Sequence, residues 1–424
     1  MSKIRIAIFG ASRGLELCLK SGLFSHTEAE VVAVCDFYEP VLERFRTHAK
    51  AAGASDEIVY LNDPEHLLDV PSDAVFLCNY ATEHAPWAIR CLKAGRHVLS
   101  ELLPMQALSE AVELVETVEK TGLVYNYAEN YCFMEHVLEM RRLYESGEMG
   151  RVMAADLVFI NDLSHNWPRL THGDPGSWRN YAPSTFYCTH SIGPMMYVTG
   201  QRAVRVNGME IPTHDTLRSM GARAGSAAME LMQLSGGGMA KSLHGNLKRP
   251  YAPHYSLFCE KGSMETDKYD MNKLHVVREY PFERKNMYGD YAHEEYYAKP
   301  LTSRTDLPSE LGHSIYYMME CFIGSILGKE ECRRWAIDVY QAMDMALPGF
   351  LAYRSILAGG QPMEVPDFRK AEEREAYRFD TACTDPQVAG DKLLPIKSGE
   401  PTVVPEGAYE HCREMFEKGY GTFW

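Results

Sequence analysis

Short apolar runs alternate with helix-period segments through the first 125 residues, and few folds accept that order. Ile4 to Phe9 is apolar but for Arg5, ends at Gly10, and passes at Gly14 into a helical pattern carried by Leu15, Leu17, Cys18 and Leu19. Val31 to Cys35 is a second such run, closed by Asp36, and Val41 to Ala52 has helical spacing. Ala74 to Cys78, His97 to Leu99 and Leu123 to Tyr125 are further strand candidates, with helices expected from about Pro86 to Ala94 and Ser109 to Lys120. Continuous apolar strands are buried on both faces, and helices between them carry the chain back to start each strand in the same direction. The pattern predicts a doubly wound parallel sheet.

After about residue 150 the pattern changes. Val152 to Ile160, Ala227 to Leu234, Met239 to Leu243 and Tyr255 to Cys259 read as longer strands between turn-rich loops, and Ser314 to Ile326 and Ala336 to Ala358 as helices. A large, mainly antiparallel open sheet in an α+β domain is expected there. A chain of 424 residues exceeds one hydrophobic core. The expected boundaries are 1–125, 126–366 and a tail, 367–424, that packs on the body or on a partner subunit. A net charge of -15 argues against a nucleic-acid partner, whose phosphates must be neutralised by Lys and Arg. No apolar stretch approaches a bilayer span, and Met1-Ser2-Lys3-Ile4 leads into a strand without a leader core, so no membrane association and a cytoplasmic location are expected. The eleven cysteines are odd in number, scattered and free of Cys-x-x-Cys pairs, which suits reduced thiols.

A strand that ends in a glycine turn at a helix N-terminus presents backbone N–H groups and the positive end of the helix dipole to a diphosphate. Gly10-Ala11-Ser12-Arg13-Gly14 is a compressed form of that fingerprint, with Ser12 where a second glycine would stand. Asp36, at the end of the next strand, is placed to accept hydrogen bonds from ribose hydroxyls. Phe37 and Tyr38 follow it rather than an arginine for a 2'-phosphate, so NAD is expected in preference to NADP. The same five residues also spell Gly-x-Ser-x-Gly, the serine-hydrolase elbow, but that elbow needs earlier strands beneath it and this one ends the first strand.

His84-Ala85-Pro86, Ala94-Gly95-Arg96-His97-Val98 and Glu101 extend the pattern into a family resemblance: the chain resembles the glucose-fructose oxidoreductase, inositol dehydrogenase and rhizopine catabolism (Gfo/Idh/MocA) group. The resemblance implies an N-terminal Rossmann fold whose cofactor site includes Gly10, Ser12, Arg13, Gly14, Asp36, Asn79, His84 and Glu101. Ordinary dehydrogenases of the group follow that glutamate with Lys-Pro, the lysine acting near the reacting carbon. Here Glu101-Leu102-Leu103-Pro104 stands instead, and leucine can neither shuttle a proton nor polarise a hydroxyl. Trp178-Arg179 and Phe186-Tyr187-Cys188-Thr189-His190-Ser191-Ile192-Gly193-Pro194 are similar to motifs of the NAD-dependent glycosidases of family 109, as are Glu129-Asn130, Gly312-His313, Asp338-Val339-Tyr340 and Val365-Pro366-Asp367-Phe368.

That branch implies a redox-neutral glycoside cleavage: transient oxidation at C3, loss of the acidified C2 proton, elimination at C1, water addition and re-reduction. His190 is the candidate for the C3 hydroxyl proton and Tyr187 for C2. Glu129, Trp178, Arg179 and His313 are the candidate substrate-binding residues, Arg179 through its planar donor fork. The alternatives are an NAD-linked sugar dehydrogenase or 3-oxidase that releases NADH, and a catalytically silent NAD-binding regulatory protein. Asp162, His165, His172, His190 and Glu129 match no standard metal spacing, and no metal is expected. Lys248-Arg249 and Arg169 would suit an anionic sugar. Trp167, Tyr181, Tyr251 and Tyr255 add aromatic faces for sugar C–H groups, although core packing accounts for many such residues equally well. The expected partner is a small carbohydrate, and the open sheet suits a homodimer or homotetramer.

Overall fold

The computed structural model describes residues 2–249, 251, 253–280, 291–301 and 313–420. The chain forms two compact units, one of Met1–Glu135, Pro300–Met343 and Phe368–Thr381, the other of His136–Lys299, Asp344–Asp367 and Ala382–Trp424.

The first unit contains a six-stranded parallel sheet of β1 (Ile4–Phe9), β2 (Ala29–Cys35), β3 (Val59–Leu61), β4 (Ala74–Leu77), β5 (His97–Ser100) and β6 (Tyr125–Tyr127). Its order, β3-β2-β1-β4-β5-β6, is the doubly wound Rossmann order expected from the apolar runs. Every residue of β4 and the last four of β1 are buried, because helices cover both faces. The order reverses between β1 and β4, and the crevice for a ligand lies outside their carboxyl ends.

Segment Phe368–Thr381 returns to this unit by charge. Arg374 is almost fully buried and donates to both carboxylate oxygens of Glu119, at 2.8 and 2.6 Å, and to the Phe368 carbonyl at 2.6 Å. Arg378 forks onto Glu116 at 2.9 and 2.6 Å. Glu116 and Glu119 lie three residues apart on helix Leu108–Thr121, so one helix face holds the whole segment.

The second unit is built on a nine-stranded sheet: β7 (Val152–Ile160), β8 (Ala203–Ile211), β9 (Ala227–Leu234), β10 (Met239–Gly245), β11 (His254–Cys259), β12 (Gly262–Thr266), β13 (Lys273–Glu279), β14 (Tyr291–Tyr297) and β15 (Met363–Glu364). The order is β14-β13-β12-β11-β7-β10-β9-β8-β15, antiparallel except between β7 and β10. Helix Thr189–Thr199 packs against β7, β10 and β11 on one face. The opposite face exposes Met153, Met209, Met229, Leu231, Met239 and Phe258. Among the residues after Thr381, helix Ala408–Glu417 buries Cys412 in a small cluster with Trp167, Leu217 and Met220.

Replacing Arg374 by alanine removes its hydrogen bonds to the Phe368 carbonyl and Glu119, and is expected to lower unfolding free energy by about 1–3 kcal/mol, moderated because Glu119 keeps the Tyr340 hydroxyl and contact with water. Arg378→Ala should cost less, since that pair is more exposed. Denaturant titration of both variants checks the order; equal losses would contradict it.

Candidate functional site

The glycine turn after β1 is shaped by contact with β4. Gly10 has φ +100°, and a Cβ there would lie 2.2 Å from the Cys78 carbonyl oxygen. A Cβ on Gly14 would meet Ile8 at 2.6 Å, so the second glycine lets helix Ala11–Ser21 settle on its own strand. Of the first-turn N–H groups, that of Ala11 donates to Asp36 Oδ2 at 2.8 Å and that of Gly14 to Gly10 O at 3.0 Å. Helix geometry leaves those of Ser12 and Arg13 for an anion. Asp36 Oδ1 accepts from Tyr38 N at 3.0 Å, so the carboxylate is oriented at the end of β2. These features fit NAD.

Arg13 is engaged by carboxylates: Nε donates to Glu101 Oε1 and Nη1 to Glu16 Oε2, each at 2.9 Å. Against the penalty of burial, Arg13 and then Lys20 hold the Glu16 carboxyl down at about 2. Glu101 also accepts from Leu102 N at 3.2 Å, and the Leu102–Leu103 peptide is cis. Both leucines are buried. His84 is buried between two carbonyls, Nδ1 3.0 Å from Leu103 O and Nε2 3.3 Å from Asn79 O. Burial lowers its pKa against the Leu103 carbonyl, and a neutral ring donates to only one of the two. Asn79 Nδ2 donates to Glu83 at 3.2 Å, while its buried Oδ1 has no hydrogen-bond partner among the described residues.

The second unit gathers the other candidates. Trp178 and Arg179 lie in a short 3-10 turn, Tyr187 ends another (Ser184–Tyr187), and His190 is in the first turn of helix Thr189–Thr199. Arg179 Nη2 lies 3.4 Å from Tyr187 Oη, and its guanidinium sits 4.5 Å from the Trp178 ring centroid. The Trp178 and Tyr187 rings are nearly parallel at 6.4 Å, and the Tyr187 and His190 rings meet edge-on at 5.6 Å. His190 also packs on Phe159 at 4.7 Å, and Tyr255 Oη donates to its backbone carbonyl at 2.7 Å. From the other side, helix Val339–Leu357 presses on this turn at Gly349, where a Cβ would lie 2.1 Å from Thr185 O, and Phe350 stacks on Phe186 at 3.9 Å.

Glu129 and His313 belong to the first unit. Glu129 is fully buried and accepts from Tyr131 N at 3.2 Å. His313 precedes helix Ser314–Ile326, with its ring and backbone N each 3.1 Å from Glu135 Oε1; Gly312 lies outside the described residues. Asp162 pairs with Lys248 at 2.8 Å, His172 stacks on Phe416, and Arg249 donates to the Lys268 carbonyl, so the basic pair is occupied. Among the described residues the one grouping with ligand-like spacing is His275, His293 and Glu295, on β13 and β14 and without relation to the candidate residues. Sequence reasoning missed Glu16, the partner of Arg13, and Phe159 as a partner of His190. It also missed the buried Ser242, His244 and Glu230 beneath the helix.

Asp36→Ala removes charge-assisted acceptors and is expected to cut NAD retention roughly tenfold or more with the circular dichroism spectrum unchanged. NAD content after denaturation of the purified variant reads this directly, and wild-type occupancy would contradict it.

Residues 4–129 match the family model described as oxidoreductase family, NAD-binding Rossmann fold. The chain is 24% identical over 413 residues to glycosyl hydrolase family 109 protein 2 of Phocaeicola vulgatus, a match covering 88% of this chain and 96% of that one. It is 24% identical over 346 residues to an alpha-N-acetylgalactosaminidase of Bacteroides fragilis, covering 72% and 77% of the two chains. Among solved structures, levoglucosan dehydrogenase in complex with NADH superposes with a TM-score of 0.69 at 16% identity, covering 86% of this chain and all of that one. Residues 4–129 thus match the NAD-binding Rossmann fold of the oxidoreductase family, and over most of its length the chain is similar to the family 109 glycosyl hydrolases.

Proposed function

We propose that the protein is an NAD-dependent glycosidase that cleaves a sugar glycoside without net redox change. The observation that carries this reading is the contact group of Arg179, Tyr187 and His190 in a chain whose Glu101 is followed by buried leucines. The relatives named for family 109, one an alpha-N-acetylgalactosaminidase, support a glycoside substrate.

Gly10, Ser12, Arg13, Gly14 and Asp36 hold NAD, which when bound supplies the hydride acceptor and donor that open and close the cycle. His190 takes the proton of the C3 hydroxyl as that carbon is oxidised and returns it at the end. The C3 ketone acidifies C2–H, and Tyr187 Oη is the group that takes this proton. The Arg179 guanidinium, with Nη2 3.4 Å from Tyr187 Oη, orients that oxygen. The C1–O bond then breaks with its electrons on the leaving group, water adds at C1, and a proton returns to C2. Trp178 and Tyr187 offer flat faces for the sugar C–H groups. Lys248 and Arg249 are occupied by Asp162 and the Lys268 carbonyl, which weakens the case for an anionic substituent at that pair.

A sugar dehydrogenase is the second reading, favoured by the fold shared with levoglucosan dehydrogenase and opposed by Leu102 and Leu103. The exposed apolar sheet face suits a second copy of the chain, and eleven cysteines outside any disulfide suit the cytoplasm; no helix among the described residues is long and apolar enough to cross a membrane.

Turnover of an aryl glycoside in D2O is expected to place deuterium at C2 of the released sugar, and His190→Ala or Tyr187→Phe to lower turnover roughly a hundredfold. Cleavage without C2 label would refute the elimination, and stoichiometric reduction of added NAD with the glycosidic bond intact would establish the dehydrogenase.

A further inference from the structure

Beneath the turn that carries Tyr187 and His190 lies a polar cluster with no contact to water. Glu230 on β9 and Ser242 and His244 on β10 face the helix-covered side of the sheet, and with Ser191 of helix Thr189–Thr199 all four are completely buried. Ser191 Oγ donates to Cys188 O at 2.7 Å. Ser242 Oγ lies 2.7 Å from Ser191 Oγ and 3.0 Å from His244 Nδ1. His244 Nε2 is 3.8 Å from Glu230 Oε1, close but long for a hydrogen bond.

Counting protons orders this chain. A hydroxyl has one hydrogen. That of Ser191 goes to the Cys188 carbonyl, so Ser242 must donate to Ser191 and its own oxygen must accept from His244 Nδ1–H. The imidazole is then bare at Nε2, facing the acid. Burial pushes His244 down to about 3, the Ser184 backbone opposing and His190 adding, and burial pushes Glu230 up. The pair is a neutral acid beside a neutral imidazole, not a salt bridge.

We propose that His244, Ser242 and Ser191 are positioning residues, a hydrogen-bonded strut that fixes the turn between Tyr187 and His190 for reaction. The strut ends on a backbone carbonyl, so it transmits orientation and no proton. It meets the turn at Cys188, between the two candidate residues, while Tyr255 Oη holds the carbonyl of His190 itself. Apolar side chains would fill the space but leave the rotation of the first helical turn to packing alone. This inference rests on the glycosidase reading only for the roles of Tyr187 and His190.

Ser242→Ala cuts the strut with little change in volume. Its kcat on aryl glycosides is expected to fall roughly tenfold or more with KM nearly unchanged, at wild-type NAD content and circular dichroism. Wild-type kcat in Ser242→Ala would overturn the strut. Nitrogen NMR of the histidine rings needs no turnover, and so separates this proposal from the glycosidase reading. His244 should be the neutral Nδ1–H tautomer, and the His190 signals should shift in Ser242→Ala. A charged His244 ring, or unmoved His190 signals, would overturn the proposal even if glycoside cleavage is established.

Discussion

The backbone of β1 passes so close to that of β4 that position 10 has no room for a Cβ, and the first unit is arranged around that approach. The two strands diverge in connectivity at that point, which opens the crevice. The left-handed Gly10 turns the chain into helix Ala11–Ser21 with its first N–H groups directed at the crevice, and Asp36 on the neighbouring strand end completes the cradle. A nicotinamide cofactor then needs no large rearrangement of the backbone. Ser12, where a glycine was expected, stands exposed on the helix's first turn rather than at the strand contact, so the side chain is tolerated.

A similar device orders the second unit. Gly349 lets a helix press on the turn from one side, while Ser242 and Tyr255 hold its continuation from the sheet. Tyr187 and His190 are thus only half-buried yet rest on residues that are fully buried, which is what a reacting pair requires: access for substrate and little freedom of its own. Buried polar groups cost more than apolar ones unless they are paired, so the cluster behind the turn is retained for orientation rather than for stability.

Much of this is legible from residue order. β1, β2 and β4 read as apolar runs because helices cover both faces, and the Gly10-to-Gly14 turn with Asp36 follows from strand ends alone. β9 and β10 are harder. Met229, Leu231 and Met239 point outward while Glu230, Ser242 and His244 point inward beside Met232, Leu234 and Ala240, so hydrophobicity alone does not separate the two faces. Distant pairings leave no local trace either: Arg374 and Glu119 are 255 residues apart, and Lys248 is silenced by Asp162 rather than turned toward a ligand. Tyr187, His190, Glu129 and His313 all stand in motifs that the family resemblance points to, and the structure gives Glu129 and His313 each a local backbone or carboxylate partner.

In the proposed cycle, bound NAD is reduced and reoxidised within each cleavage. Rapid mixing of the protein as purified with an aryl glycoside, without added NAD, reads that directly through reduced-nicotinamide fluorescence. A transient is expected that rises before the aglycone is released and decays within the same turnover. Aglycone release with no transient would contradict it.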